Sequence, residues 1–174
     1  MTQRQRFSVI ESFDGFELRL YEPCSIAEVV VNESYSSATN TAFQPLFSYI
    51  SKGNSQSKSI AMTSPVIAST TTQMDSQQWR VAFVMPAGMK VEELPLPHNS
   101  EVELRELAAE KCVALSFRGR ATQELSAKKE SELRALAAAK GMALAAETRI
   151  CRFDPPFKPG FMMYNEIVIP VSTQ

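Results

Sequence analysis

The chain has 174 residues, of which 44% are hydrophobic and 21% are charged, and its formal net charge is −1 at pH 7. These values are ordinary for one globular domain and leave no basic block, so nucleic-acid binding has little support. No apolar run reaches the roughly 18 residues that a membrane-spanning helix needs.

Neither a secretory signal nor a disulfide framework is indicated. Residues 1–6 carry charge but are not followed by an apolar stretch. The cysteines Cys24, Cys112 and Cys151 are odd in number, widely spaced and without a CxxC pair. We therefore expect reduced thiols rather than disulfides or a zinc site, and a cytoplasmic protein.

The first half of the chain predicts two strands, a helix and two further strands. In residues 35–50 the apolar side chains recur at helical spacing, which predicts an amphipathic helix that Gly53 would end in a left-handed conformation. Pro45 is expected to kink this helix or to delay its regular part, and Pro65 to mark an edge, a bulge or a bend in a strand. Alternating or β-branched runs predict strands over residues 16–21, 25–31, 60–69 and 79–85.

The second half repeats this order, which suggests an internal duplication. A helix over residues 123–140 has Thr122 as its N-cap and Gly141 as its terminator. The predicted strands cover residues 101–107, 112–118, 146–153 and 165–171. We expect a single domain over 1–174, with pseudo-repeats at about 7–90 and 100–172, forming one curved antiparallel sheet or open barrel with two packed helices.

A long, stiff, apolar loop precedes the last predicted strand. Residues 153–163, here called the proline loop, combine Pro155, Pro156, Pro159 and Gly160 with aromatic and methionine side chains. A simple connection between strands uses only a few residues, and mostly polar ones. This composition suggests the lip of a binding site for a flat, apolar molecule.

Three short runs make the chain resemble the SOUL heme-binding protein family. They are residues 62–66 (MTSPV), residues 154–159 (DPPFKP) and the pair Asn165-Glu166, with residues 81–86 (VAFVMP) between them. The resemblance covers residues 5–171. It implies an α+β fold, a distorted antiparallel β-barrel of two ββαββ-like repeats with two main helices, similar to the gyrase-inhibitor-like ligand-binding domains.

The resemblance also implies that a heme or another porphyrin is held non-covalently in an apolar cleft beside the first long helix, for transport or buffering. The expected partner is thus a hydrophobic planar small molecule. Many relatives have two arginines before the Asn-Glu pair, where this chain has Met163 and Tyr164, which makes this face more apolar and suits a less charged ligand. Lys158 is the candidate partner for a ligand carboxylate. The candidate contacts are Phe43, Phe47, Met62, Lys158, Phe161, Met162, Met163 and Tyr164.

Other interpretations stay open at this stage. His98, the only histidine, lies in a polar, proline-stiffened linker, which favours an exposed side chain over an iron ligand. Glu166 is a candidate catalytic group for a small hydrolase or porphyrin-modifying enzyme, because some gyrase-inhibitor-like domains are hydrolases. A structural role, in which Asn165 and Glu166 hydrogen-bond the backbone of the proline loop, is favoured over catalysis. A peptide or protein interaction module is the third alternative.

Overall fold

A computed structural model gives the structure of residues 2–172, so Met1, Thr173 and Gln174 of the predicted domain lie outside it. The two α-helices are α1 (Tyr35–Ile50) and α2 (Gln123–Ala139), and short 3-10 helices cover Val91–Glu93 and Gly160–Met162. The strands are β1 (Gln3–Arg4), β2 (Phe7–Phe13), β3 (Phe16–Tyr21), β4 (Cys24–Val31), β5 (Thr63–Ser64), β6 (Val66–Thr70), β7 (Trp79–Val84), β8 (Glu103–Leu107), β9 (Glu110–Arg118), β10 (Thr148–Arg152) and β11 (Tyr164–Pro170).

Nine of these strands form one curled antiparallel sheet in the order β2-β3-β9-β11-β10-β6-β7-β4-β8, while β1 and β5 form a separate parallel pair. The sheet and the two helices make an α+β half-barrel, which confirms the predicted fold class. Apart from the edge strand β2, the order is symmetric about the β10–β6 pair, and β3 of the first half pairs with β9 of the second, as β8 pairs with β4. The internal duplication stays a prediction with which this order agrees.

Both faces of the central strands of the sheet are buried, as β11 illustrates. On β11, Ile167 and Ile169 join the larger core cluster between the sheet and the helices, and Val168 joins a smaller cluster on the opposite face. This division follows from the alternation of side chains along a strand. The larger cluster includes Leu46 of α1 and Leu133 of α2, which fixes both helices against the same face.

Helix α1 spans the predicted residues, but its end differs from the prediction. Pro45 lies inside the helix, which continues to Ile50. The left-handed residue is Lys52, with φ 78°, and not Gly53. Gly53 is required for a different reason, since a Cβ atom there would lie 2.5 Å from the carbonyl oxygen of Ser48.

One predicted strand was wrong, and one observed strand was not predicted. The single strand expected over 60–69 is divided, since β5 ends at Ser64 and β6 begins at Val66, on either side of Pro65. Strand β2 was missed because it lies at the edge of the sheet and is exposed on both faces, so no alternation of apolar and polar residues marks it. In residues 2–172, no helix is both long enough and apolar enough to cross a membrane.

Candidate ligand-binding cavity

A cavity of about 780 Å³ lies between the first half of α1, the start of α2 and the proline loop. We call it the α1 cavity. Its volume is within the range of small-molecule and cofactor sites. The residues that line it are Thr2, Tyr35, Ser36, Thr39, Asn40, Phe43, Met62, Thr63, Ser64, Val66, Arg120, Ala121, Thr122, Gln123, Arg152, Phe153, Asp154, Pro155, Pro156, Met163 and Asn165.

The sheet forms the floor of the α1 cavity. Arg152 of β10 lies directly opposite Val66 of β6 and Asn165 of β11. Directly opposed residues share a face of the sheet, and Arg152 also shares a face with Ile150, which belongs to the core beneath the helices. The end of β10 therefore places a guanidinium on the helix-facing side of the sheet.

Hydrogen bonds tie the walls of the cavity together. The Tyr35 hydroxyl donates to the Ala121 carbonyl at 2.7 Å, which joins the start of α1 to the turn before α2. The Asn165 Nδ2 donates to the Gly119 carbonyl at 2.6 Å, which joins β11 to the same turn. Thr122 caps α2 by accepting from the Leu125 amide at 3.1 Å. The cavity is thus bounded by segments with fixed relative positions.

Asp154 fixes the shape of the proline loop. Its carboxylate accepts from Lys158 Nζ at 2.8 Å and from the Tyr164 amide at 2.6 Å. Partial desolvation would raise the pKa of Asp154, but these two hydrogen bonds outweigh it and lower the pKa below its ordinary value. Asp154 therefore fills the role that the sequence had suggested for Asn165 and Glu166.

The structure brings three of the eight candidate contacts to the cavity. Phe43 and Met62 are 44% and 37% exposed, and Met163 is 8% exposed, so the first two offer apolar surface at the opening. Phe47 stacks on Phe43 with 5.6 Å between ring centroids, but it is not among the lining residues.

The remaining candidates lie outside the lining. Phe161 is 80% exposed, Met162 is also exposed, and Lys158 is bonded to Asp154. Tyr164 donates its hydroxyl to Glu166 Oε2 at 2.6 Å. The proline loop thus contributes its two ends to the cavity, Phe153 to Pro156 and Met163, whereas Phe161 and Met162 do not line it.

Glu166 belongs to a buried ionic network. Arg19 donates to both Glu166 carboxylate oxygens, at 2.8 and 2.9 Å, and also to the Tyr21 hydroxyl at 2.9 Å. Burial by itself would lower the pKa of Arg19, but the hydrogen bonds with Glu166 outweigh it and raise the pKa. Glu166 alternates with Asn165 along β11, so it lies on the opposite face of the sheet and is not a lining residue.

His98 is exposed and lies at a different groove. Its backbone amide donates to the Gly53 carbonyl at 3.1 Å, and its neighbours there include Gln44, Pro45 and Ser48 of α1. None of the residues that line that groove also lines the α1 cavity. A further cavity of about 410 Å³ near β1 is bordered by charged side chains such as Arg4, Arg6 and Glu22, so it is less suited to an apolar guest.

Arg120 and Arg152 line the α1 cavity but were not among the sequence candidates. A signal for Arg152 was present, because it lies two residues after Ile150 and so takes the same face of a strand whose neighbours on that face are buried. Arg120 lies in the turn between β9 and α2, where no periodic pattern assigns a face.

Fold and cavity together define an α+β half-barrel with a cavity beside its first helix. The family model of the SOUL heme-binding protein matches residues 2–170, and the chain belongs to this family. The resemblance given by the three short sequence runs is therefore confirmed. No curated protein matches the chain.

Solved structures share the fold at low sequence identity. A hydrolase from Listeria innocua has 14% identity and a TM-score of 0.66, with 94% of each chain covered. The C-terminal domain of EcmrR has 12% identity and a TM-score of 0.71, with 91% of this chain and 98% of that chain covered. SAV2435 bound to tetraphenylphosphonium has 10% identity and a TM-score of 0.54, covering 90% and 93%.

Proposed function

We propose that the protein binds heme or a related tetrapyrrole in the α1 cavity and carries or buffers it without modifying it. The observation on which this rests is an open cavity of about 780 Å³ beside α1 in a member of the SOUL heme-binding protein family. Phe43, Met62 and Met163 offer the apolar contacts that a flat macrocycle requires.

Hydrophobic capture fits the cavity better than coordination by a strong axial ligand. Among the described lining residues there is no histidine or cysteine, and the candidate donors to iron are the thioethers of Met62 and Met163. The exposed His98 lies at another groove. Ring binding is therefore expected to be similar for heme and for the metal-free porphyrin.

Modest affinity is the energetic expectation. Covering a few hundred Å² of ring surface at about 25 cal/mol per Å² gives several kcal/mol before the costs of association. An affinity of this size suits a carrier or buffer that must release its cargo. A cytoplasmic location belongs to this proposal, supported by the free thiols of Cys24, Cys112 and Cys151.

A blocking substitution tests the location of the site. Asn40 is an exposed α1 residue that lines the cavity, so Asn40→Trp should fill the opening without disturbing the core. Ser37→Trp adds the same side chain to an exposed α1 position that does not line the cavity. Hemin and protoporphyrin titrations should saturate at micromolar ring for wild type and Ser37→Trp, and fail for Asn40→Trp. Absence of saturable binding by wild type would refute the proposal.

The geometry gives less support to catalysis by Glu166. Both oxygens of this carboxylate accept hydrogen bonds from Arg19, and Tyr164 donates to one of them. A general base must be able to reach its substrate, and Glu166 is buried on the face of the sheet away from the cavity. The same variants test for a peptide ligand. Such a ligand is indicated if peptides, and not porphyrins, bind at the face of α1 that carries Asn40.

A further inference from the structure

The guanidinium of Arg152 lies at the floor of the α1 cavity without a salt-bridge partner among the residues that the structure describes. Arg152 is half-buried, and its Nε is buried without a hydrogen-bond partner. Within residues 2–172, no carboxylate lies within salt-bridge distance of its guanidinium. Buried polar groups in proteins are nearly always satisfied, so an unpaired donor in a residue that lines a cavity calls for an explanation.

A second guanidinium lies at the rim. Arg120 lines the cavity and packs against the proline loop, where a Cβ atom on Gly160 would lie 3.1 Å from Arg120 Cγ. Gly160 therefore leaves room for the Arg120 side chain to lie along the loop. In the part of the chain that the structure describes, Arg120 also makes no side-chain salt bridge.

None of the described residues that line the cavity offers an unpaired carboxylate to balance Arg152 and Arg120. Asp154 is the one carboxylate among the described lining residues, and it is bonded to Lys158 and to the Tyr164 amide. The N-terminal end of α2 also opens here through Thr122 and Gln123, adding the positive end of a helix dipole. An apolar cavity with an uncompensated positive field suits a ligand that is both apolar and anionic.

We propose that Arg152, assisted by Arg120, recognises carboxylate groups on the ligand, so that the site selects an acidic tetrapyrrole over an uncharged or cationic aromatic molecule. This inference rests on the proposed function and adds the charge of the ligand to it. Guanidinium groups bind carboxylates through two parallel hydrogen bonds, which fixes orientation as well as affinity.

Protoporphyrin IX and its dimethyl ester provide the test, because they share one ring and differ only in two carboxylates. Wild-type protein should bind the diacid more tightly than the ester. Arg152→Met should weaken binding of the diacid by at least about tenfold and leave the ester unchanged, since only the diacid loses charge-assisted hydrogen bonds. Arg152→Lys should keep part of the preference, and Arg120→Met should show a smaller loss.

Arg6→Met is the matched control, because Arg6 is an exposed guanidinium that lines the other cavity. Binding of the ester by Arg152→Met would show that this variant is folded. If Arg152→Met does not fold, Arg120→Met gives a second test. Equal wild-type affinity for diacid and ester, or equal loss of both in Arg152→Met, would overturn this inference. If wild type binds both rings and Asn40→Trp binds neither, the proposed function survives that failure.

Tetraphenylphosphonium extends the test to the opposite charge. It is an aromatic cation. At concentrations at which added diacid displaces bound diacid from wild-type protein, tetraphenylphosphonium should not displace it. Displacement at comparable concentrations would show that the arginines do not set the charge preference, and would also overturn the inference.

Discussion

Glu166 is a buried carboxylate, and both of its oxygens accept hydrogen bonds from Arg19. The side chains of the two partners are 5% and 6% exposed. Arg19 also meets Glu17 at 2.9 Å, but that carboxylate is 36% exposed. The same guanidinium therefore has one buried and one solvent-exposed partner.

Glu166→Gln should destabilise the protein by about 3 kcal/mol, because it removes the buried partner of the Arg19 charge and leaves only the half-exposed Glu17. Glu17→Gln, at the exposed partner, should cost less than about 1 kcal/mol. Urea unfolding of the two variants measures this difference. Porphyrin binding by the folded Glu166→Gln protein should be unchanged, and loss of a catalysed turnover with stability intact would instead support the enzyme alternative.

The residues of this network could not be paired from the sequence. Arg19 and Glu166 are 147 residues apart, and each lies in an ordinary strand pattern. The same is true of Arg152, whose neighbour Val66 comes from a strand in the other half of the chain. Charged partners across a sheet depend on strand order, which no local pattern contains.

Helix α1 presents two aromatic rings with similar exposure and different positions. Phe43 and Phe47 are 44% and 45% exposed and stack on each other, but only Phe43 lines the cavity. The sequence nominated both because they share a helical stripe, and helical spacing does not show where a cavity ends.

Phe43→Ala should weaken porphyrin binding by about three- to tenfold, the range of an aromatic contact. Phe47→Ala removes the same atoms one turn away, at a residue that does not line the cavity, and should change porphyrin affinity by less than about twofold. Fluorescence titration with protoporphyrin distinguishes them. Equal losses in the two variants would place the ring along the outer face of α1 and not in the cavity.

The two helices differ at their N-termini. Thr122 caps α2 with its side chain, whereas Ser34 at the start of α1 makes no side-chain cap hydrogen bond. Thr122→Ala should therefore lower the free energy of unfolding by about 1 kcal/mol, and Ser34→Ala by clearly less. Thermal or urea unfolding of the two variants gives the comparison, and equal effects would show that the Thr122 bond adds no stability.

Elements with strong periodicity were predictable and exposed edges were not. Helix α1 matches its predicted bounds because its buried residues Ala42, Leu46 and Ile50 recur at helical spacing. Strand β2 has no such pattern, since water lies on both of its faces. The Gly53 prediction was wrong because the sequence shows that a glycine is needed but not whether φ or close approach requires it.

At the scale of the whole molecule, the sheet interleaves the two halves. Strands β3, β4 and β6 of the first half pair with β9, β8 and β10 of the second. Each half on its own would expose the unpaired edges and the core-facing sides of these strands. The symmetric order could be suspected from the repeated sequence pattern, but the exchange of partners could not.

Fragments 1–98 and 99–174 should therefore be largely unfolded when separate, and should recover the native circular dichroism spectrum when mixed. Intact chain cut at the same place, where His98 and Asn99 are exposed, is the control. Cooperative unfolding of either fragment alone would show that one half can complete its own core, contrary to the strand pairing.

The α1 cavity draws its walls from stretches that are distant in the chain, from α1 to the proline loop. A guest held there touches both halves, so it stabilises the native state of the entire protein according to its concentration and affinity. In a cell, the supply of pigment would then govern how much of this protein escapes degradation. Under the proposed function, the abundance of the protein would follow that of its ligand without any change in gene expression.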